Sequence, residues 1–142
     1  MRAKILVVDD DPSLLLLLSD LLQLQGYEIE TAGSGYLALT MLKTMIPDLL
    51  ISDVVMPGLD GYGLVEQLRN HPRFAQMPIL FVSALCSGTD RQAGLSQGAN
   101  AYLCKPFEPE VLISTAEKLL SHMPRPKFRA ISPQESLIVE SY

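Results

Sequence analysis

The sequence predicts an α/β domain built on a parallel sheet of five strands with five helices. Three observations carry this. Five short apolar runs alternate with five helical patterns. The runs are continuous rather than alternating, as in strands covered on both faces. The notable polar residues fall just after strand ends, where an open parallel sheet forms its binding crevice. A length of 142 residues suits one domain with a short appendage and buries roughly two thirds of the unfolded surface.

The first strand is Lys4–Val8, a β-branched-rich run ending in Asp9-Asp10-Asp11. Pro12 suits the first turn of the first helix, with Asp11 as its N-cap. Leu14, Leu15, Leu17, Leu18, Leu21, Leu22 and Leu24 fill one half of that helix, and Leu16 strays to the other. So wide a stripe fits a helix wedged between a sheet and a neighbouring helix, and Gly26 closes it. Tyr27–Ala32 is the second strand. Ser34 opens the second helix, whose apolar positions Leu37, Leu39, Met41, Leu42 and Ile46 run up to Pro47. The third strand, Leu49-Leu50-Ile51, ends at Ser52-Asp53. A loop through Met56-Pro57-Gly58 leads to a third helix over Gly61–Asn70, with Leu64, Val65 and Leu68 inward. The fourth strand covers Pro78–Val82 and ends at Ser83. A weaker helix over Thr89–Gln97 follows, then a fifth strand, Ala99–Cys104, closed by Lys105-Pro106. Pro109 sits in the first turn of the last helix, whose apolar side carries Val111, Leu112, Ala116, Leu119 and Leu120. Met123–Tyr142 changes character. Pro124 and Pro126 break helices and Arg125, Lys127 and Arg129 are basic, so the stretch reads as a tail or the start of a linker.

Composition narrows the function. A hydrophobic fraction of 48% with 19% charged residues excludes disorder of the whole chain. Eleven Lys+Arg against sixteen Asp+Glu leave a net charge of −5. That argues against a nucleic-acid backbone binder and suits a protein that holds cations or meets a basic partner. Neither a secretory leader nor a membrane span is expected, which places the chain in the cytoplasm. Cys86 and Cys104 form no ligand pattern. Both fall near the polar edge on neighbouring strands, and the reading is two buried thiols, with a redox pair as the alternative. His71 and His122 are isolated, exposed by pattern, and not metal ligands.

Asp9 and Asp10, Asp53, Ser83 and Lys105 come from four strand ends and converge on one crevice. Like charges about 4 Å apart at an effective dielectric near 20 repel by about 4 kcal/mol. A divalent ion relieves this, and an all-oxygen site suits Mg²⁺, with Mn²⁺ as a substitute. Lys105 adds a point positive charge and Ser83 a hydroxyl donor, which together describe a seat for a transferring phosphoryl group. A carboxylate can itself act as the nucleophile.

The chain resembles the receiver domain of two-component response regulators. The matching pieces are Ile5-Leu6-Val7-Val8-Asp9-Asp10-Asp11-Pro12; Pro47-Asp48-Leu49-Leu50-Ile51-Ser52-Asp53-Val54-Val55-Met56-Pro57-Gly58-Leu59-Asp60-Gly61; Pro78-Ile79-Leu80-Phe81-Val82-Ser83-Ala84; and Gly98-Ala99-Asn100-Ala101-Tyr102-Leu103-Cys104-Lys105-Pro106-Phe107. In order and correctly spaced, they cover about residues 3–121.

The resemblance implies a flavodoxin-like doubly wound sheet of order 2-1-3-4-5, a receiver over 1–122 and a tail or linker over 123–142. It implies Asp53 as phosphoacceptor, taking its phosphoryl group from the phosphohistidine of a histidine kinase or a histidine phosphotransfer protein. Asp10 would ligate Mg²⁺ directly, Asp9 partly through water, with Asp53 and the backbone carbonyl of Val55 completing the protein ligands. Lys105 and Ser83 would stabilise the phosphoryl group. Ser83 and Tyr102 would form the switch, and the bond to Pro106 would be cis. The face of the fourth helix, fifth strand and fifth helix would meet an effector, a fused output domain or a second copy of the chain. Neither nucleic acid nor membrane is an expected direct partner.

Two departures matter. Ser83 lacks the methyl of the commoner threonine, which loosens its coupling to Tyr102. Val55 and Leu85 are aliphatic and cannot orient an attacking water, so self-dephosphorylation should be slow. The domain is then a signalling element rather than an enzyme, assisting only its own phosphoryl transfer. Two rival readings remain. A haloacid-dehalogenase-type hydrolase would need a second acid two residues after Asp53, where Val55 stands. A phosphorylation-independent binding module would not need the complete acid–lysine set.

Overall fold

The computed structural model describes residues 2–122. The expected tail over 123–142 and the side chain of His122 lie outside the described residues. Ten elements alternate in chain order: β1 (Lys4–Val8), α1 (Pro12–Gln23), β2 (Glu28–Ala32), α2 (Gly35–Leu42), β3 (Leu49–Ser52), α3 (Gly61–Arg69), β4 (Ile79–Ser83), α4 (Gly88–Gln97), β5 (Ala101–Cys104) and α5 (Pro109–His122). The strands form one parallel sheet of order β2-β1-β3-β4-β5, the doubly wound architecture expected.

The period of two along each strand sorts the core into two layers. Leu6 and Val8 of β1, Leu50 of β3 and Ile79 and Phe81 of β4 face one side, where Ala38, Leu42, Leu64, Val65 and Leu68 of α2 and α3 cover them. Ile5, Val7, Leu49, Ile51, Leu80 and Val82 face the other, under Leu18 and Leu22 of α1 and Leu112, Ala116 and Leu120 of α5. Nearly all these side chains are fully buried. Each of the larger ones contributes about 1.5–3 kcal/mol relative to leaving it in water.

The helix starts follow from their caps. Asp11 accepts from the Ser13 amide, Ser34 from that of Leu37, Asp60 from that of Gly63, and Ser87 forms a reciprocal capping box with Asp90. These side chains occupy donors that a helix leaves unmatched. α4 is the outlier: only Gly94 of its ten residues is buried.

Several expectations are corrected. The apolar stripe of α1 is narrower than seven leucines, because Leu17 and Leu24 are exposed together with Leu16. Leu37 of α2 is exposed as well. β2 and β5 are edge strands and are not buried on both faces; Glu28 and Glu30 of β2 face solvent, and every residue of β5 is half-buried. His71 is half-buried rather than exposed, its ring against Phe74.

Candidate functional site

The parallel register sets the site. Backbone ladders run one residue past the strands: Asp9 N–H donates to the Ala32 carbonyl (3.1 Å), Asp53 N–H to the Val8 carbonyl (3.0 Å) and Lys105 N–H to the Ser83 carbonyl (2.8 Å). Three side chains far apart in sequence are thereby held at one edge by the sheet itself. The loop after β3 is pressed close. A Cβ at Gly61 would lie 2.8 Å from Val54 Cα and 2.9 Å from the Phe81 ring, so only glycine lets α3 start there.

The Lys105 ammonium bridges the two buried acids, with Nζ 2.8 Å from Asp53 Oδ2 and 3.0 Å from Asp9 Oδ2. The remaining carboxylate oxygens are also held. Asp53 Oδ1 accepts from the amides of Val54 (2.6 Å) and Val55 (3.2 Å), and Asp9 Oδ1 from that of Asp11 (2.9 Å). Burial pushes the Asp9 carboxyl above its ordinary value, more than the Asp11 amide and Lys105 pull it down. For Lys105, burial acts against the charge, but hydrogen bonds to Asp53 and Asp9 and their charges outweigh it. The ammonium is held above its ordinary value and stays charged through neutral pH.

Asp10 is exposed and completes the cluster: carboxylate oxygens of Asp9, Asp10 and Asp53 all lie within 4.8 Å of one another. Three carboxylates face one ammonium, so the pocket carries an excess of negative charge. The donor set is all oxygen, partly buried and open on the Asp10 side, which fits a hard divalent cation that keeps several waters. Asp11 faces away as the α1 cap, as expected.

Ser83 is buried at the end of β4, its Oγ accepting from the Leu85 amide (3.3 Å). Tyr102 on β5 donates its hydroxyl to the Leu85 carbonyl. Its ring packs edge-on to Phe81, centroids 6.0 Å apart, and lies against Gly94, where a Cβ would come within 2.7 Å of it. Burial raises the Tyr102 phenol above its ordinary value. The Lys105–Pro106 bond is cis. Val55 is exposed and Leu85 partly so, both at the mouth of the site.

Three features escaped sequence reasoning. Cys86 and Cys104 are not two separate buried thiols: both are half-exposed and joined by a disulfide, their Cα atoms 5.6 Å apart. Their places on neighbouring strand ends were the available signal. Arg91 of α4 sets a guanidinium nitrogen 3.0 Å from Cys104 Sγ. Arg69 of α3 ties the turn before β5 to the segment before β4, donating to the carbonyls of Gly98, Phe74 and Ala75 and to Asn100 Oδ1. No local pattern marks that role.

The model of the response regulator receiver domain matches residues 5–117. A probable transcriptional regulator, ycf27, of Cyanophora paradoxa is 40% identical over 131 residues, covering 92% of this chain and 54% of that protein. The chain thus spans about half the length of the curated relatives it matches. Among solved structures, chemotaxis protein CheY4 of Vibrio cholerae superposes with a TM-score of 0.80 at 38% identity, covering 84% of this chain and 99% of that one. The receiver domain of sensor histidine kinase PA1611 of Pseudomonas aeruginosa, with a magnesium ion coordinated in its active-site cleft, gives a TM-score of 0.79 at 26% identity, covering 85% and 99%. Among the described residues no helix is long and apolar enough to cross a membrane.

Proposed function

The chain belongs to the response regulator receiver domain family, and on that premise we propose that Asp53 accepts a phosphoryl group from the phosphohistidine of a histidine kinase or histidine phosphotransfer protein. The observation that carries this reading is the Lys105 ammonium shared between Asp9 and Asp53, with Asp10 alongside. A fixed ammonium beside the Asp53 carboxylate offers the incoming phosphoryl oxygens a positive partner.

Asp9, Asp10, Asp53 and the Val55 carbonyl would hold Mg²⁺, or Mn²⁺ in its place. The ion supplies charge neutralisation at the transferring group. The magnesium in the cleft of the PA1611 receiver supports this assignment. The chain's own residues do the rest. A carboxylate lone pair of Asp53 forms the new O–P bond as the P–N bond to imidazole breaks, and the electron pair leaves with the ring. The amides of Val54 and Val55 orient the carboxylate. Lys105 turns from the carboxylate to a phosphoryl oxygen, and Ser83, carrying the Leu85 amide with it, donates its hydroxyl to another.

Phosphorylation replaces one carboxylate with a group near −2 in charge. Ser83, the β4–α4 loop and Tyr102 then rearrange together, and the α4–β5–α5 face changes shape. An effector or output domain that prefers the new face shifts the balance of two states. Val55 and Leu85 leave no side chain to orient a hydrolytic water, so the phosphorylated state is long-lived. The domain signals from the cytoplasm and turns over no substrate of its own.

Acetyl phosphate with Mg²⁺ tests this. Intact mass should show one added phosphoryl group, lost in Asp53→Ala and without Mg²⁺. A gain that persists in Asp53→Ala, or turnover of a small phosphate ester, overturns the reading.

A further inference from the structure

We propose that Cys86 and Cys104 are a reversible redox pair that sets how readily the phosphoryl site responds. The inference rests on the function proposed above. Cys86 lies in the β4–α4 loop three residues after Ser83, and Cys104 immediately precedes Lys105. The pair therefore joins the two chain segments that carry the phosphoryl-binding hydroxyl and ammonium. A Cα separation of 5.6 Å lies within the ordinary range for a disulfide. Both residues are half-exposed, so a soluble reagent can reach them. The Arg91 guanidinium, 3.0 Å from Cys104 Sγ, favours negative charge on that sulfur, which makes Cys104 the attacking residue.

The chemistry is two thiol–disulfide exchanges with a low-molecular-weight disulfide such as oxidised glutathione. Cys104 thiolate attacks one sulfur of the reagent, forming a mixed disulfide and releasing one thiolate. Cys86 thiolate then attacks Cys104 Sγ, closing the bond and expelling the second. The two thiol protons pass to the released thiolates, so two cysteines are oxidised and one disulfide is reduced to two thiols.

The coupling follows from the hydrogen bonds. Ser83 Oγ accepts the Leu85 amide, and the Leu85 carbonyl accepts the Tyr102 hydroxyl. For Ser83 to reach a phosphoryl oxygen without abandoning the Leu85 amide to an unpaired state, the loop must follow. A covalent tie at Cys86, the next residue, to the end of β5 prevents that. Oxidation thus holds the arrangement described here, and reduction frees it.

The test uses the full chain. Glutathione buffers of graded potential, read by alkylation and intact mass, should give a single dithiol–disulfide transition that disappears in Cys86→Ser. Beryllofluoride with Mg²⁺, a phosphoryl mimic, should bind the oxidised protein about tenfold more weakly than the reduced one by calorimetry. By linkage, saturating beryllofluoride should raise the reduction potential by about 30 mV, the equivalent of tenfold. Cys86→Ser should bind like reduced protein in either buffer, and Arg91→Ala should oxidise more slowly. A pair that stays dithiol in the most oxidising buffer, or equal affinity in both states, overturns the inference. If the reduced protein neither takes phosphate from acetyl phosphate nor binds beryllofluoride, the receiver reading itself fails, and the redox transition still stands or falls on its own.

Discussion

The two halves of the site are built differently. On the β1–β3 side, Asp9 and Asp53 follow strands buried on both faces, and their oxygens are held by backbone amides and Lys105. On the β4–α4–β5 side, only β4 is fully buried. β5 is half-exposed along its length, and α4 buries one glycine. The difference teaches where rigidity is needed. Crowded carboxylates must not drift, because each relaxed ångström alters charge repulsion in a medium of low dielectric. The β4–α4–β5 side, proposed above to change shape on phosphorylation, has few apolar contacts to lose, and motion is cheapest there.

The sharpest way to break this contrast is to cut one leucine from each half. Leu50→Ala, in β3, should cost about 2–5 kcal/mol of unfolding free energy in urea, and Leu103→Ala, in half-buried β5, clearly less. Equal costs would erase the distinction between a fixed and a yielding side. Next in size, Lys105→Ala removes the one cation common to both halves. Phosphoryl uptake from acetyl phosphate should fall on the order of a hundredfold, the usual cost of losing a charge-stabilising donor, while far-ultraviolet dichroism stays native. Uptake within a few fold of the parent would show that the acids manage without it. Gly94→Ala tests the yielding side from within. Its Cβ would press to 2.7 Å of the Tyr102 ring, so overpacking should cost about 1–3 kcal/mol unless the ring swings away. A thermal melt reads the cost, and tyrosine proton resonances read the swing. The smallest effect is at the mouth. Val55→Asn should speed decay of the phosphorylated form several-fold, with little change in urea midpoint, because the Val55 side chain is exposed. An unchanged decay rate would remove the link between that side chain and lifetime.

The strand ends were more legible in the sequence than the helix faces. β1, β3 and β4 are unbroken apolar runs of the length a buried parallel strand requires, and the acids, serine and lysine stand directly after strand ends. Strand direction and chain order then bring them together. The helix faces were harder to read. Nothing local says that Leu17, Leu24 and Leu37 stay exposed, since a helix stripe reveals its width only once the packing partner is in place. Tail-to-partner contacts of Arg69, the shared use of Lys105 by two acids and the Tyr102 bond to the Leu85 carbonyl all depend on distances between segments 5 to 96 residues apart. The cysteine pair lies between these cases. Its neighbouring strand ends were visible, but the bond between them depends on how far the β4–α4 loop folds back.

The Lys105 bridge spans 96 residues to Asp9 and 52 to Asp53, which has a consequence for how the molecule is made. On the ribosome both acids emerge long before their counter-ion. Contacts of such long range form late, because closing the chain between them costs entropy first. The pocket cannot become whole until residue 105 has emerged, and a nascent chain halted before it carries the acids without their counter-ion.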